Sequence, residues 1–204
     1  MAGTAASGLL VNNELESEVK GLFGAGDDVG GVPWAGAPGA FTMGWRAGER
    51  AAKEARQQKD FLPLDDEQVE SLVNRCSGML GNGGGMHWRE VELAVQNVVN
   101  YYAGNTREKK TLKRGIERLN DIKKNAIFKA ENPHELTRCL EVQSIIDNAE
   151  MVLNASLERQ ESRRAPFGFI RADFPEQDDA RWLAFLALKK CEGTIKFSKI
   201  PIKQ

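Results

Sequence analysis

Apolar residues recur every three or four positions through the middle of this chain, and that period predicts helices. Val69, Leu72, Val73, Cys76 and Met79 form one stripe, following the acidic pair Asp65 and Asp66. Val91, Val95, Val98, Val99 and Tyr102 form a second, beyond a glycine break at 81–85. Leu112, Ile116, Leu119 and Ile122 make a third, and Leu136, Cys139, Leu140, Ile146 and Leu153 a fourth. Asn132-Pro-His-Glu135 has the form of a helix start, with Asn at N-cap, Pro at N1 and Glu at N3. The stripes predict a bundle of three or four antiparallel helices between about residues 64 and 160.

The flanks read differently. Leu9-Leu-Val11, the polar turn at Asn12-Asn13, and then Val19 and Gly21-Leu-Phe-Gly24 predict a β-hairpin within residues 7–26. Repeated glycines with Pro33 and Pro38 follow, predicting a loop that lies close against something rather than a regular element. A helix from about Ala40 to Lys59, rich in Ala, Arg, Glu and Lys, is stopped by Pro63. Beyond Arg164 the pattern is irregular: Asp178-Asp-Ala-Arg-Trp-Leu opens a short helical or extended stretch, and residues 193–202 alternate as an edge strand with Pro201 near its end. The expected fold class is α+β, mainly α: a small hairpin, glycine loop and helix, then an antiparallel bundle, then a C-terminal strand. The expected boundaries are 1–60, 64–160 and 161–204.

With 204 residues and 41% apolar content the chain can bury a sizeable core. Its 28 Lys and Arg against 29 Asp and Glu leave a net charge of −1, which gives no electrostatic reason to expect nucleic acid or an anionic membrane as partner. Cys76, Cys139 and Cys191 are widely spaced and odd in number, so no disulfide framework and no metal site is signalled; a reducing cytoplasm fits best. The first residues, Met1-Ala-Gly-Thr-Ala-Ala-Ser-Gly8, have neither a basic region nor a long apolar one, and direct membrane insertion is not expected.

Two distant landmarks carry chemistry. Gly21-Leu-Phe-Gly-Ala-Gly-Asp-Asp28 comes first, and Glu161-Ser-Arg-Arg164 with Arg171-Ala-Asp-Phe-Pro-Glu-Gln-Asp-Asp179 comes second. Together, in this order, they resemble the late FAD-contacting strand and the C-terminal signature of the succinate dehydrogenase and fumarate reductase flavoprotein family. Between them, Gly39-Ala-Phe-Thr-Met-Gly44 is similar to the helix opening of adenylylsulfate reductase alpha subunits. The Arg that binds dicarboxylate in fumarate reductases has no counterpart there, because residues 34–38, from Trp34 to Pro38, take its place. Fumarate or succinate is thereby placed in doubt as substrate.

The resemblance implies an FAD-dependent oxidoreductase whose flavin passes electrons between a substrate and an iron–sulfur partner subunit. It implies that Asp27, at the end of Gly26, accepts hydrogen bonds from the ribityl hydroxyls, a task suited to an ionised acceptor. It also implies that the helix N-terminus at Gly39, Ala40 and Phe41 stabilises negative charge on the flavin ring. No Gly-x-Gly-x-x-Gly opens the chain, so the expectation is the C-terminal portion of a flavoprotein, inactive alone, with the N-terminal flavin-domain portion as its first partner. No catalytic residue is assigned: the family's His upstream of the hairpin is missing from Gly3-Thr-Ala-Ala-Ser-Gly8.

Each of these residues also has a plainer reading. Asp27 and Asp28 can simply cap a turn, and His87 and His134, at predicted helix starts, suit surface or capping roles. Glu161, Arg163, Arg164, Arg171, Asp173, Asp178 and Asp179 alternate in sign densely enough for a salt-bridge network. The basic run Arg107-Glu-Lys-Lys-Thr-Leu-Lys-Arg114 reads as a solvated helix face, or as a dock for an acidic subunit. The second overall reading is a non-catalytic helical interaction or assembly module. Substrate, direction of electron flow, covalent or free flavin, and oligomeric state are not legible in the sequence.

Overall fold

A computed structural model describes residues 7–31, 36–60, 63–81, 83–164 and 168–202. The fold is α+β, mainly α, and it divides into two compact units, Met1–Pro63 and Leu64–Gln204.

In the first unit the expected hairpin is replaced by single bridges, Val11 with Ser17 and Glu16 with Phe23, both antiparallel. The cause is local: Asn12 Oδ1 accepts from the Glu14 and Glu16 amides (2.8 and 3.1 Å), drawing the chain into a tight loop that competes with a strand ladder. Leu9 then runs parallel to Val29, donating to Asp28 O (2.7 Å) while its own carbonyl accepts from Gly30 N (3.1 Å). Only glycine permits this approach at position 8, where a Cβ would lie 2.5 Å from Asp28 O. Helix α1 (Gly36–Gln57) starts earlier than expected. Leu15, Val29 and Ala47 are the buried apolar residues among those described in this unit.

The second unit is built on α3 (Trp88–Tyr102), α4 (Lys109–Asn125) and α5 (Pro133–Glu158), each packed on the other two. Their predicted stripes converge: Val91, Val95, Leu112, Leu119, Cys139 and Leu153 are all at most 1% exposed, joined by Val142 from outside the predicted stripe at 2%, and burying each of the larger aliphatic ones contributes about 1.5–3 kcal/mol. Asn132 caps α5 through Oδ1, which accepts from Glu135 N at 3.0 Å. Gly115 is the contact point of α4, since a Cβ there would come 2.6 Å from Tyr102 Cβ and 3.0 Å from Leu153 Cδ2. Preceding the bundle, α2 (Asp66–Ser77) buries none of its residues: Val69, Leu72 and Val73 of its predicted stripe stay open at 41%, 51% and 58% exposure, while Met79, the last member, lies past the helix end and is buried in the bundle core.

Two short strands, β1 (Thr106–Arg107) and β2 (Ile170–Arg171), pair in parallel and fasten the segment after α5 beside the start of α4. After the single turn α6 (Asp179–Trp182), β3 (Ala184–Cys191) pairs antiparallel with β4 (Thr194–Pro201), the expected C-terminal strand. Strand β3 escapes sequence reading because residues 184–188 are a continuous apolar run with no alternation. Its turn is Glu192-Gly193, both with positive φ (49° and 77°), which suits a two-residue hairpin loop. Glu150 of α5 ties this hairpin to the bundle, accepting from Lys190 Nζ (2.8 Å) and Lys123 Nζ (3.0 Å). Among the described residues, no helix is long and apolar enough to cross a membrane.

Because α3, α4 and α5 meet without slack at Gly115, Gly115→Ala is expected to destabilise the chain by about 1–3 kcal/mol, read as a lowered urea midpoint with an unchanged slope.

Candidate functional site

In the first unit, residues 21–28 lead into a 3-10 turn, Gly26–Asp28, closed by Val29 N donating to Gly26 O (3.1 Å). Gly26 has φ of +66°, and a Cβ on it would lie 3.0 Å from Ala40 Cβ, so the turn rests directly on the first turns of α1. The structure thereby brings Gly26 and Ala40 together. Asp27 is exposed, and so is Phe41 at 78%. Since α1 begins at Gly36, the backbone N–H groups of its first turn that face no carbonyl of the helix include those of Gly36 and Ala37, Pro38 having none. The N–H groups of Ala40 and Phe41 lie one turn in, where the helix's own carbonyls use them. Trp34 and residues 3–6 of the Gly3–Gly8 stretch lie outside the described residues.

In the second unit, the alternating charges of the C-terminal landmark form a closed network. Arg171 is fully buried and sends Nη1 to Ser156 O (2.6 Å) and to Arg159 O, while Nε and Nη2 grip the two Asp173 oxygens at 2.9 and 2.8 Å. Such a bidentate pair is the geometry that favours Arg over Lys. Glu161, also fully buried, accepts from Arg159, from Arg163 Nε (2.7 Å) and from the Asp178 amide (3.1 Å). Arg163 reaches onward to Asp179 (2.9 Å), and Asp178 accepts from Arg181 and caps α6. Arg164 is exposed.

Sequence reading missed the hubs that hold these charges. Ser162 Oγ donates to Phe174 O (2.8 Å) and accepts from Arg171 N (2.8 Å). Ser156 Oγ accepts from Arg107 (2.7 Å), whose guanidinium is lowered from its usual value by burial and then by the like charge of Arg171. The ring of Trp182, 4% exposed, lies under Arg159 and Lys199 at 5.4 and 3.4 Å. The one available signal was the sign alternation beginning at Glu161, which did not include Arg159; serine hydroxyls leave no pattern.

The histidines take capping and surface places. His87 Nδ1 accepts from Arg89 N (3.2 Å) at the start of α3, and His134 is exposed in the first turn of α5. Among the described residues, no group of three or more His, Cys, Asp or Glu side chains could hold a metal ion.

A mainly helical bundle closed by this arginine-carboxylate landmark defines a class, the C-terminal domains of flavoprotein subunits. The sequence profile of the family described as "Fumarate reductase flavoprotein C-term" matches residues 92–204, over half the chain, and the chain belongs to that family. It is 27% identical over 190 residues to an uncharacterized FAD-dependent oxidoreductase of Methanocaldococcus jannaschii, covering 89% of this chain and 34% of that protein. To the fumarate reductase flavoprotein subunit of Haemophilus influenzae it is 25% identical over 211 residues, 96% of this chain and 35% of that one. Adenylylsulfate reductase of Archaeoglobus fulgidus superposes with a TM-score of 0.86 at 27% identity, over 93% of this chain and 33% of that one. Quinol fumarate reductase of E. coli shares the fold, with a TM-score of 0.77 at 19% identity, over 94% of this chain and 35% of that one. The chain thus spans about a third of the length of the relatives it matches.

Removing the cation from the buried pair, as in Arg171→Ala, is expected to cost about 3–5 kcal/mol in urea unfolding, because Asp173 and three carbonyls lose their donor. The hydrogen bonds from Arg171 hold the Asp173 carboxyl below the usual carboxylate range. A depressed carboxyl stabilises the fold above its unfolded pKa of about 3.9 and stops doing so as pH falls through the folded value. Melting temperature should therefore be level above about pH 5 and fall below about pH 4. Asp173→Asn should melt lower than the parent at neutral pH, the gap narrowing in acid.

Proposed function

We propose that this chain is the C-terminal portion of an FAD-dependent oxidoreductase of the fumarate reductase, succinate dehydrogenase and adenylylsulfate reductase type. It contributes part of the flavin cradle and the helical domain, and is inactive alone. The observation that carries this is the Gly26–Asp28 turn seated on α1, with the Asp27 carboxylate exposed.

The residues present fit a flavin. An exposed carboxylate suits a row of sugar-like hydroxyl donors, and the N–H groups of Gly36 and Ala37 at the start of α1, just ahead of Gly39, Ala40 and Phe41, suit a ring oxygen that gains negative charge. Bound FAD would supply the hydride or electron transfer. The chain's own part is to orient and to bind: Gly26 gives the backbone close approach that a side chain would block, Asp27 accepts hydroxyl protons in hydrogen bonds, and the start of α1 offers its dipole.

The partners of this reading are the amino-terminal flavin-domain portion, which would carry the dinucleotide fingerprint, and an iron–sulfur subunit. A cytoplasmic location accompanies it. The relatives bear names such as "flavoprotein subunit", which supports a place in an assembly. A second reading, a helical interaction module without catalysis, draws on the open stripe of α2, where Val69, Leu72 and Val73 are 41%, 51% and 58% exposed.

The visible absorbance of the purified chain, recorded before and after excess FAD and desalting, tests the first reading. A folded, colourless protein is the expected result; retained flavin bands would overturn the inactivity of the chain alone. In the complete protein, Asp27→Ala should weaken FAD retention about ten- to a hundredfold with the helical circular dichroism unchanged. An unaltered affinity would remove Asp27 from the cradle.

A further inference from the structure

At its amino end helix α4 carries cations against its own dipole, whereas Lys123 and Lys124 in its last turn agree with it. Lys109, Lys110, Lys113 and Arg114 crowd the two turns nearest the amino end, where a helix favours anions, and the first turn holds no acid. Glu108 occupies the N-cap without making a side-chain capping bond. The neighbouring Asp173 accepts from Lys109 N (3.2 Å), but its charge is already engaged by Arg171. Leu112, Gly115 and Leu119 are buried, so the helical period turns Lys110, Lys113, Arg114, Glu117, Asp121 and Lys124 toward solvent along one face. Among the described residues Lys110, Lys113, Arg114 and Lys124 form no ion pair, although the chain has 29 Asp and Glu to set against its 28 Lys and Arg. A cluster of cations that costs helix stability at the amino end is the kind of local conflict expected where a surface has another task.

Beside this face runs a groove of about 810 Å3, between Val98, Tyr101 and Tyr102 of α3 and Arg118, Asp121 and Ile122 of α4. Tyr101 stands 77% exposed at its edge, held edge-on to Tyr102 with ring centres 4.9 Å apart. Tyr and Arg are residue types enriched among those that carry most of the binding energy of protein interfaces. We infer that the groove between α3 and α4, with the basic face of α4 beside it, docks a protein partner that presents an acidic amphipathic helix. Apolar side chains of that helix enter beside Tyr101 and Ile122, and its carboxylates meet Lys110, Lys113, Arg114 and Arg118. The apolar part of the groove lining, Val98, Tyr101, Tyr102 and Ile122, offers a phosphate backbone nothing to bind and suits the apolar side chains of a protein occupant. The choice of a protein occupant also rests on the flavoprotein-subunit reading above; the binding surface itself does not.

The test uses the full chain and a fluorescein-labelled 18-residue synthetic helix of Leu at three- and four-residue spacing with Glu between. Fluorescence anisotropy follows its binding at about 50 and 200 mM salt. Expected are saturable binding that weakens with salt, and at least a tenfold loss both in the triple variant Lys110→Glu, Lys113→Glu, Arg114→Glu and in Tyr101→Ala. The same triple variant should melt about 1–3 °C higher, because acids replace cations near the helix amino end. Binding lost while stability rises is a result that a purely structural role of these cations would not produce. Three outcomes overturn the inference: no binding, binding untouched by the substitutions, or equal binding of a Lys-for-Glu version of the peptide, of phosphatidylserine vesicles or of duplex DNA. Flavin retention is read by absorbance and docking by anisotropy, so either reading can fail while the other stands.

Discussion

The guanidinium of Arg171, buried without any exposed surface, organises the C-terminal part of the second unit. A cation in such a place is tolerable only when every donor is used and its charge is balanced. Here the balance has two sources: the Asp173 carboxylate, and the carbonyls of Ser156, Leu157 and Arg159, which include the last ones of α5, where the helix dipole is negative. A helix of 26 residues therefore ends at a defined place, and the chain beyond it is bound back onto that end. Ser162 adds the complementary bonds to the backbone of Arg171 and Phe174, and Glu161 gathers Arg159, Arg163 and the Asp178 amide.

Several features follow from that one burial. Because Arg171 lies in β2, its position sets the pairing with Arg107 of β1, and thus where α4 begins. Arg107, pressed close to a like charge, is held by Gly104 O and Ser156 Oγ and lies over Phe169. The hairpin of β3 and β4 is anchored at two places, at Trp182 beneath Arg159 and Lys199 and at Glu150 between two lysines. In the first unit small residues do the comparable work: backbone meets backbone at Gly8 and Gly30, and Gly26 meets Ala40, leaving an acidic turn on the surface beside a helix start.

Much of this was legible in the residues. Three of the four apolar stripes became the bundle, since a period of 3.6 has few ways to bury its face other than against another helix. The Asn132 cap formed as its spacing predicts. Helix α2 carries an equally good stripe yet leaves it open, and nothing in periodicity distinguishes a stripe that is covered from one that is not. The expected hairpin at 7–26 lost to side-chain bonds from Asn12, a short-range competition that an alternation pattern does not reveal. Strand β3 was hidden by its continuous apolar run.

At the candidate site, the residue types of Gly26, Asp27 and Gly39 were readable because glycine and aspartate at that spacing answer a chemical need, close approach and an ionised acceptor. Their meeting was not, for Gly26 touches Ala40 only through the folding of intervening chain. What the sequence by itself determined was local: which segments coil, where one helix is capped, where charge alternates, and which family the two landmarks resemble. The tertiary structure alone decided which charges are buried, which stripe stays open and which hydroxyls become hubs. The reason is that burial and hydrogen-bond partnership are set by residues far apart in the chain: Arg107 with Ser156, Ser162 with Phe174, Glu150 with Lys190.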